Sequence, residues 1–259
     1  TGAGFGIAGY DWPSQRAPTL AALQTLGLPE IPFELVNDTI IGMLAGSPSG
    51  WGLGLVAGTR CNCWGWDSQR RVGRMTGLGL RMGEAAGADE LVEKAIEAVA
   101  LEWTRRGPPT LLTGRLAALA GARDAAELLE GLTLGHYRLG PAAAPYVFQA
   151  AADGDTVAQE LILWAGRGLA SMAVGVVRQL ELERRRFKVA LIGSFYDGSP
   201  LLIKTITHIL QEIAPGAEPV RLVVPPVVGG VLLGMAQAGL EPAACYDTLI
   251  QSTTALAPG

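Results

Sequence analysis

Residues 54–66 read GLVAGTRCNCWGW: an apolar strand from Gly54, a Gly58-Thr59 turn, and a second strand from Cys61 to Trp66. After a turn at Asp67-Ser68, Arg70 to Arg74 adds a third strand to this meander. Downstream the period changes. Asp89 to Arg105 carries Leu91, Ala95, Ile96 and Val99 on one helical stripe, and Gly107-Pro108-Pro109 stops it. The pattern predicts further helices over Thr110 to Ala120, Ala122 to Gly131 and Ala142 to Ala152. Asp155 is the N-cap of a long helix whose buried face runs through Val157, Leu161, Leu169 and Val176. A strand over Lys188 to Ser194, a helix over Pro200 to Ile213, a strand over Val220 to Val224 and a Gly-rich helix over Pro226 to Ala238 follow. Upstream of the meander the expected order is a strand (Gly4 to Tyr10), a helix (Ala17 to Leu26), a strand (Pro29 to Val36) and a helix (Thr39 to Ala45). Strands and helices alternating at this spacing indicate an α/β fold with mostly covered sheets.

The chain has 259 residues, 49% of them hydrophobic and 17% charged, enough for a substantial core. Formal net charge is −4. The one basic cluster, Arg184-Arg185-Arg186, reads as a solvated helix end, so no nucleic-acid partner is expected. The best bilayer-spanning candidate, Leu161 to Val177, is broken by Gly166-Arg167-Gly168, so no membrane partner is expected either. No basic segment precedes an apolar run at the start, so no secretory signal is expected there. Three cysteines without framework spacing favour a reducing cytoplasm.

Chemistry in such folds collects where strands end. Asp38 directly follows a strand; it reads either as a cap for the helix after it or as a general base or magnesium ligand. The Gly58-Thr59 turn can offer amides and a hydroxyl to phosphate, or serve only as a tight hairpin. Cys61 and Cys63 would share one strand face, and with no further cysteine or histidine nearby they suit core packing better than metal. Residues 77–84, GLGLRMGE, are glycine-rich but lack the Gly-Lys-Ser/Thr of a Walker loop and the dinucleotide spacing. Glu84 there is either a helix-dipole partner or a substrate ligand. Gly193-Ser194 ends a strand, with Gly229-Gly230 further on. The two histidines, His136 and His208, form no pair, and no Gly-x-Ser-x-Gly elbow occurs.

In this order and spacing the segments resemble the N-acetylglucosamine kinases and the related BadF/BadG-type ATPases of the actin/hexokinase/Hsp70 superfamily. Gly6-Ile7-Ala8-Gly9-Tyr10-Asp11 is similar to the family's Gly-Leu-Ala-Gly-x-Asp strand, Val36-Asn37-Asp38 to the strand bearing the catalytic base, and Ala57-Gly58-Thr59 to the second phosphate motif. Gly77-Leu78-Gly79 resembles Gly-Trp-Gly, Gly83-Glu84 resembles Gly-Asp, and 189–201 resembles the adenosine motif. The resemblance implies a ribonuclease-H-like, two-lobe ATPase fold with an incomplete first lobe (1–48) and a second lobe over 49–259, to whose partner the last helix may return. It implies ATP and Mg2+, with Asp38 catalytic, and Gly58, Thr59, Gly193, Ser194 and Gly229 on the nucleotide. Asn62, Gly77, Leu78, Gly79 and Glu84 would meet a small-molecule sugar, and a homodimer is compatible. A first phosphate hairpin, Asp-Gly-Gly-Gly-Thr, is implied but is not in these residues, and the opening on a core strand suggests that it lies upstream. Arg60 replaces a glycine of the phosphate turn, Leu78 a tryptophan, and Ala85 stands where a second acidic residue is expected. The expected activity is phosphoryl transfer from ATP to an amino sugar. The alternatives are a dehydratase-activating ATPase, or a homologue that binds sugar or nucleotide without turnover.

Overall fold

The computed structural model describes residues 1–27 and 30–256, with side chains through residue 253. Pro29, the first residue of the predicted second strand, lies outside the described residues. In chain order come β1 (Ala3–Ile7), α1 (Arg16–Gln24), β2 (Phe33–Asn37) and α2 (Asp38–Gly46), then the meander β3 (Gly52–Ala57), β4 (Cys61–Trp66) and β5 (Val72–Arg74). A helical block follows: α3 (Ala88–Trp103), α4 (Leu111–Ala120), α5 (Ala125–Leu134), α6 (Ala144–Ala152) and α7 (Thr156–Gln179). The chain closes with β6 (Phe187–Ile192), α8 (Pro200–Ile213), β7 (Ala217–Arg221), α9 (Val227–Gln237) and α10 (Pro242–Leu256).

The strands form two sheets. β1 and β2 pair in parallel, Ala3 opposite Phe33 and Ile7 opposite Asn37. The other five lie in the order β5-β4-β3-β6-β7. β3 is antiparallel to β4 and parallel to β6, and β6 is parallel to β7. As the central strand, β3 is covered on both faces, which explains its continuous apolar run. α7 packs on one face against β3, β4 and β5 with α8 beside it against β7, and α3 and α6 pack on α7; α2 lies on the other face and packs in turn against α9. α7 is long and apolar enough by composition to cross a bilayer, yet here it is the helix around which the main core is built. Its N-cap, Asp155, accepts from the Ala158 amide at 2.7 Å and also ties in Thr110 and Leu111 at the start of α4.

Close approach sets where α2 sits. A Cβ on Gly54 would stand 2.6 Å from the Thr39 carbonyl, one on Gly42 2.4 Å from Ile192 Cδ1, and one on Gly46 2.7 Å from Ala190 Cβ. Small residues on helix and sheet therefore let α2 lie almost on β3 and β6. Across α2, Gly229 of α9 faces the Ile41 backbone, and α9 reaches on to β1 and β2.

Two elements depart from the sequence reading. The last strand is Ala217–Arg221 rather than Val220 to Val224, because parallel pairing puts Phe187 opposite Ala217 and Leu191 opposite Arg221. The apolar run Leu222-Val223-Val224 lies beyond the strand, with Val223 85% exposed. α10 was not expected; its small and polar residues carry a weak stripe, and it is held by Tyr246, whose hydroxyl donates to the Ala45 carbonyl at 2.7 Å.

Candidate functional site

Parallel pairing of β1 and β2 brings the carboxyl ends of both strands to one edge, which is where this topology places ligands. β1 runs out through Gly9, in the left-handed region at φ 74°, to Tyr10 and Asp11. β2 runs straight into α2 at Asn37-Asp38. From the large sheet, β4 presents Asn62 on the same side as Trp64 and Trp66, while Cys61 and Cys63 face the main core.

Asp11 is the hub of the resulting cluster. Its Oδ1 accepts from Asn37 Nδ2 at 3.1 Å and from Asn62 Nδ2 at 3.3 Å. Asn37 Nδ2 also donates to the Tyr10 carbonyl, and the Asp11 amide donates to Gln15. Arg74 donates to the Asp11 carbonyl. Oδ2 has no hydrogen-bond partner among the described residues, so one carboxylate oxygen remains for a hydroxyl. Asp11 received no role from the sequence beyond its place in a strand motif. The signal was present, because Asp11 follows a strand end as Asp38 does.

The cap of α2 is Asn37, whose Oδ1 accepts from the Thr39 amide at 2.9 Å. Asp38 is the first helical residue. Burial holds its carboxyl above the ordinary value of 3.8, the backbone amides of Thr39 and Asp38 pull it back, and the charge of Asp11 pushes it further up. A half-buried carboxylate with a raised pKa beside a second carboxylate is the environment of a general base.

Glu84 is engaged within its own loop. It is buried, and its carboxylate accepts from the Thr76 amide at 2.6 Å and the Gly77 amide at 2.9 Å, closing the 76–84 loop on itself. That loop is pressed on the cluster at Gly77, where φ is 77° and a Cβ would lie 2.5 Å from Asp11 Cγ. Leu78 is 52% exposed and Gly79 is half-buried. Replacing Glu84 with Ala leaves two amides without an acceptor. We expect a loss of about 2 kcal/mol in urea melts, with Glu84→Gln losing less because it keeps one acceptor oxygen.

A separate cavity of about 630 Å³ is lined by Gly58, Thr59, Pro145, Phe148, Ser194 and Asp197 among others. It joins the β3–β4 turn to the end of β6. Gly193 makes that junction possible: with φ 110°, its Cβ would stand 2.2 Å from the Ala57 carbonyl. The turn is braced by the start of α3, whose Ala88 and Asp89 amides donate to Gly58 and Thr59. Arg60 extends into solvent, 76% exposed, with Asp89 at 3.9 Å. Gly229 does not reach this cavity; it is buried where α9 crosses α2. Burial pushes the Cys61 thiol up to about 12 and raises Cys63 as well, so both stay protonated and apolar in character. Among the described residues no group of three or more His, Cys, Asp or Glu is arranged around a metal position.

No protein-family model matches the chain. No curated protein matches it. Solved structures do. A protein from Chromobacterium violaceum assigned as an N-acetylglucosamine kinase aligns with a TM-score of 0.61 at 19% identity, over 89% of this chain and 75% of that one. Another with that assignment, from Porphyromonas gingivalis, gives 0.58 at 17% identity, over 88% and 75%. A ROK-family glucokinase from Streptomyces griseus, solved with glucose and AMPPNP, gives 0.51 at 14% identity, over 80% and 68%. The chain therefore shares its α/β fold with these structures, its larger sheet being an antiparallel meander continued by two parallel strands.

Proposed function

We propose that this chain transfers the γ-phosphoryl group of ATP to a hydroxyl of a hexose, N-acetylglucosamine or glucosamine being the first candidates. The observation that carries the reading is the convergence of Asp11, Asn37, Asn62 and Asp38 at one strand edge, in a fold shared with sugar kinases. Asn62 and the open oxygen of Asp11 are suited to fix sugar hydroxyls, since a site that hydrogen-bonds its substrate discriminates strongly against analogues lacking those groups. Asp38 accepts the proton of the reacting hydroxyl as its oxygen attacks the γ-phosphorus. The bond from that phosphorus to the bridging oxygen breaks, and ADP departs with the electron pair.

The nucleotide is proposed to lie along the Gly58-Thr59 turn and Ser194, with Gly193 allowing the backbone to approach. With no three-acid cluster among the described residues, Mg2+ would be carried by the triphosphate and one or two carboxylates, Asp11 and Asp38 being the candidate pair. When bound, it neutralises charge on the transferring and leaving phosphates. In this reading residues 1–48 and 49–259 form two lobes, with α2 and α9 crossing between them.

Arg60 then acts as a phosphate clamp. Its contact to Asp89 is long and exposed, so little is lost when the guanidinium swings to an anion. Arg60→Gln should raise the KM for ATP about tenfold with the Tm unchanged; an unchanged or lower KM would show that Arg60 hinders the site. The reading as a whole is tested by incubating the full-length polypeptide with Mg·ATP and a panel of hexoses and amino sugars. ADP appearing only with particular sugars supports it. ADP at one rate whatever the sugar points to a plain ATPase, and none at all to a binding protein.

A further inference from the structure

A cavity of about 500 Å³ opens beside the Asp11 cluster, between the free edge of β2 and the strands β4 and β5. Asp11 and Asn37 form one end of its wall, so it continues from the candidate sugar site. Its remaining walls are unusual for a hexose pocket. Trp12, Trp64 and Trp66 supply aromatic surface, and Arg16, Arg70 and Arg74 supply cations.

The cations are not equivalent. Arg70 stacks on Trp66 at 3.7 Å and pairs with Glu34, so its charge is answered. Arg74 has no acidic partner among the described residues. Its guanidinium lies between Trp12 at 4.2 Å and Trp64 at 5.2 Å, and it donates to the Asp11 main-chain carbonyl. Arg16 has no acidic partner either. It is the first residue of α1, whose first turn carries no acid, so its charge opposes the helix dipole. Trp64 adds a buried indole N–H with no acceptor. A planar guanidinium held against aromatic faces without an acidic partner, as at Arg74, suits a carboxylate, which Arg holds in a fork that a neutral hydroxyl cannot match.

We propose that this cavity is a second acceptor subsite, holding a carboxylate-bearing substituent of the sugar with the carboxylate on Arg74 and Arg16 and the stem against the tryptophans. The proposal rests on the sugar-kinase reading and narrows its substrate class to acidic sugars. Binding is measured by calorimetry without nucleotide, using N-acetylglucosamine, N-acetylmuramic acid (the same ring with a lactyl carboxylate) and the methyl ester of that acid. The acid should bind about tenfold more tightly than the ester. That ratio should fall towards one in Arg74→Gln and in Arg16→Gln, the second being an exposed position where folding is not at risk. Equal binding of acid and ester overturns the proposal, as does a preference that survives in both variants. If the acid is preferred but no sugar phosphate forms with ATP, the subsite stands and the kinase reading falls. If N-acetylglucosamine is phosphorylated without any preference for the acid, only the subsite falls. Failure of all three ligands to bind overturns both.

Discussion

Replacing Asp38 with Asn is expected to abolish most turnover and, at neutral pH, to make the protein more stable. The loss should be about 10²- to 10⁴-fold in kcat, the range that a positioned general base supplies, with little change in sugar affinity. The gain in stability follows from the sign of the carboxyl shift. Burial raises Asp38 in the folded state, so the folded protein holds that proton more firmly than the unfolded chain does. Ionising it therefore opposes folding. The penalty is complete above the raised pKa, fades as pH falls, and is gone below the ordinary value of 3.8. Thermal melts of wild type and Asp38→Asn should accordingly separate at pH 7, with the variant higher, and converge in acid. The kcat profile of the wild type should fall on its acid side at a pH above the ordinary carboxylate value. A variant that is less stable at pH 7 would mean that Asp38 is a structural helix-end carboxylate and not a base held ready in a half-buried site.

The second large effect concerns the crossing of α2 and α9. A Cβ at Gly229 would stand 1.8 Å from the Ile41 carbonyl oxygen and 2.6 Å from its carbon, both backbone atoms. α2 cannot retreat, because on its far side Gly42 and Gly46 already sit against Ile192 and Ala190. Gly229→Ala should therefore cost about 3 kcal/mol, lowering the Tm by about 6–12 °C. The effect should be the same with and without nucleotide, since Gly229 lies outside the phosphate-side cavity. Gly114→Ala is the control. That helical glycine has open space around it, and the change should stabilise by about 0.5–1 kcal/mol. A Gly229→Ala protein that keeps its Tm but loses ATP affinity would return Gly229 to the nucleotide site.

These two positions show what could be read from the residues alone. The α/β class was legible because each element keeps one hydrophobic period, from the stripe of α3 to the apolar run of β3. The strand ends bearing Asp38 and Gly58-Thr59 were legible for the same reason, since a change of period marks the edge where ligands gather. Partners across elements were not. Asn37 and Asp38 are both good capping residues, and only the backbone angles at Asn37, φ −64° and ψ 147°, decide that Asn37 is the cap and Asp38 the first helical residue. Glu84 and Gly77 are seven residues apart, yet the link between them exists only because the loop closes. Asp11 gains its place from Asn62, which is 51 residues away. Gly229 lies in a Gly-rich stretch that suits a ligand and a helix crossing equally well, and its approach to the Ile41 backbone is seen only once α2 is in place.

Whether the Asp11–Asn37–Asn62–Asp38 cluster holds a sugar hydroxyl for phosphorylation is read from stoichiometry by ³¹P NMR. With Mg·ATP and the best sugar from the panel, a new phosphomonoester resonance should grow in step with ADP and be absent from Asp38→Asn. Inorganic phosphate rising at one rate with and without sugar, with no phosphomonoester, would contradict it.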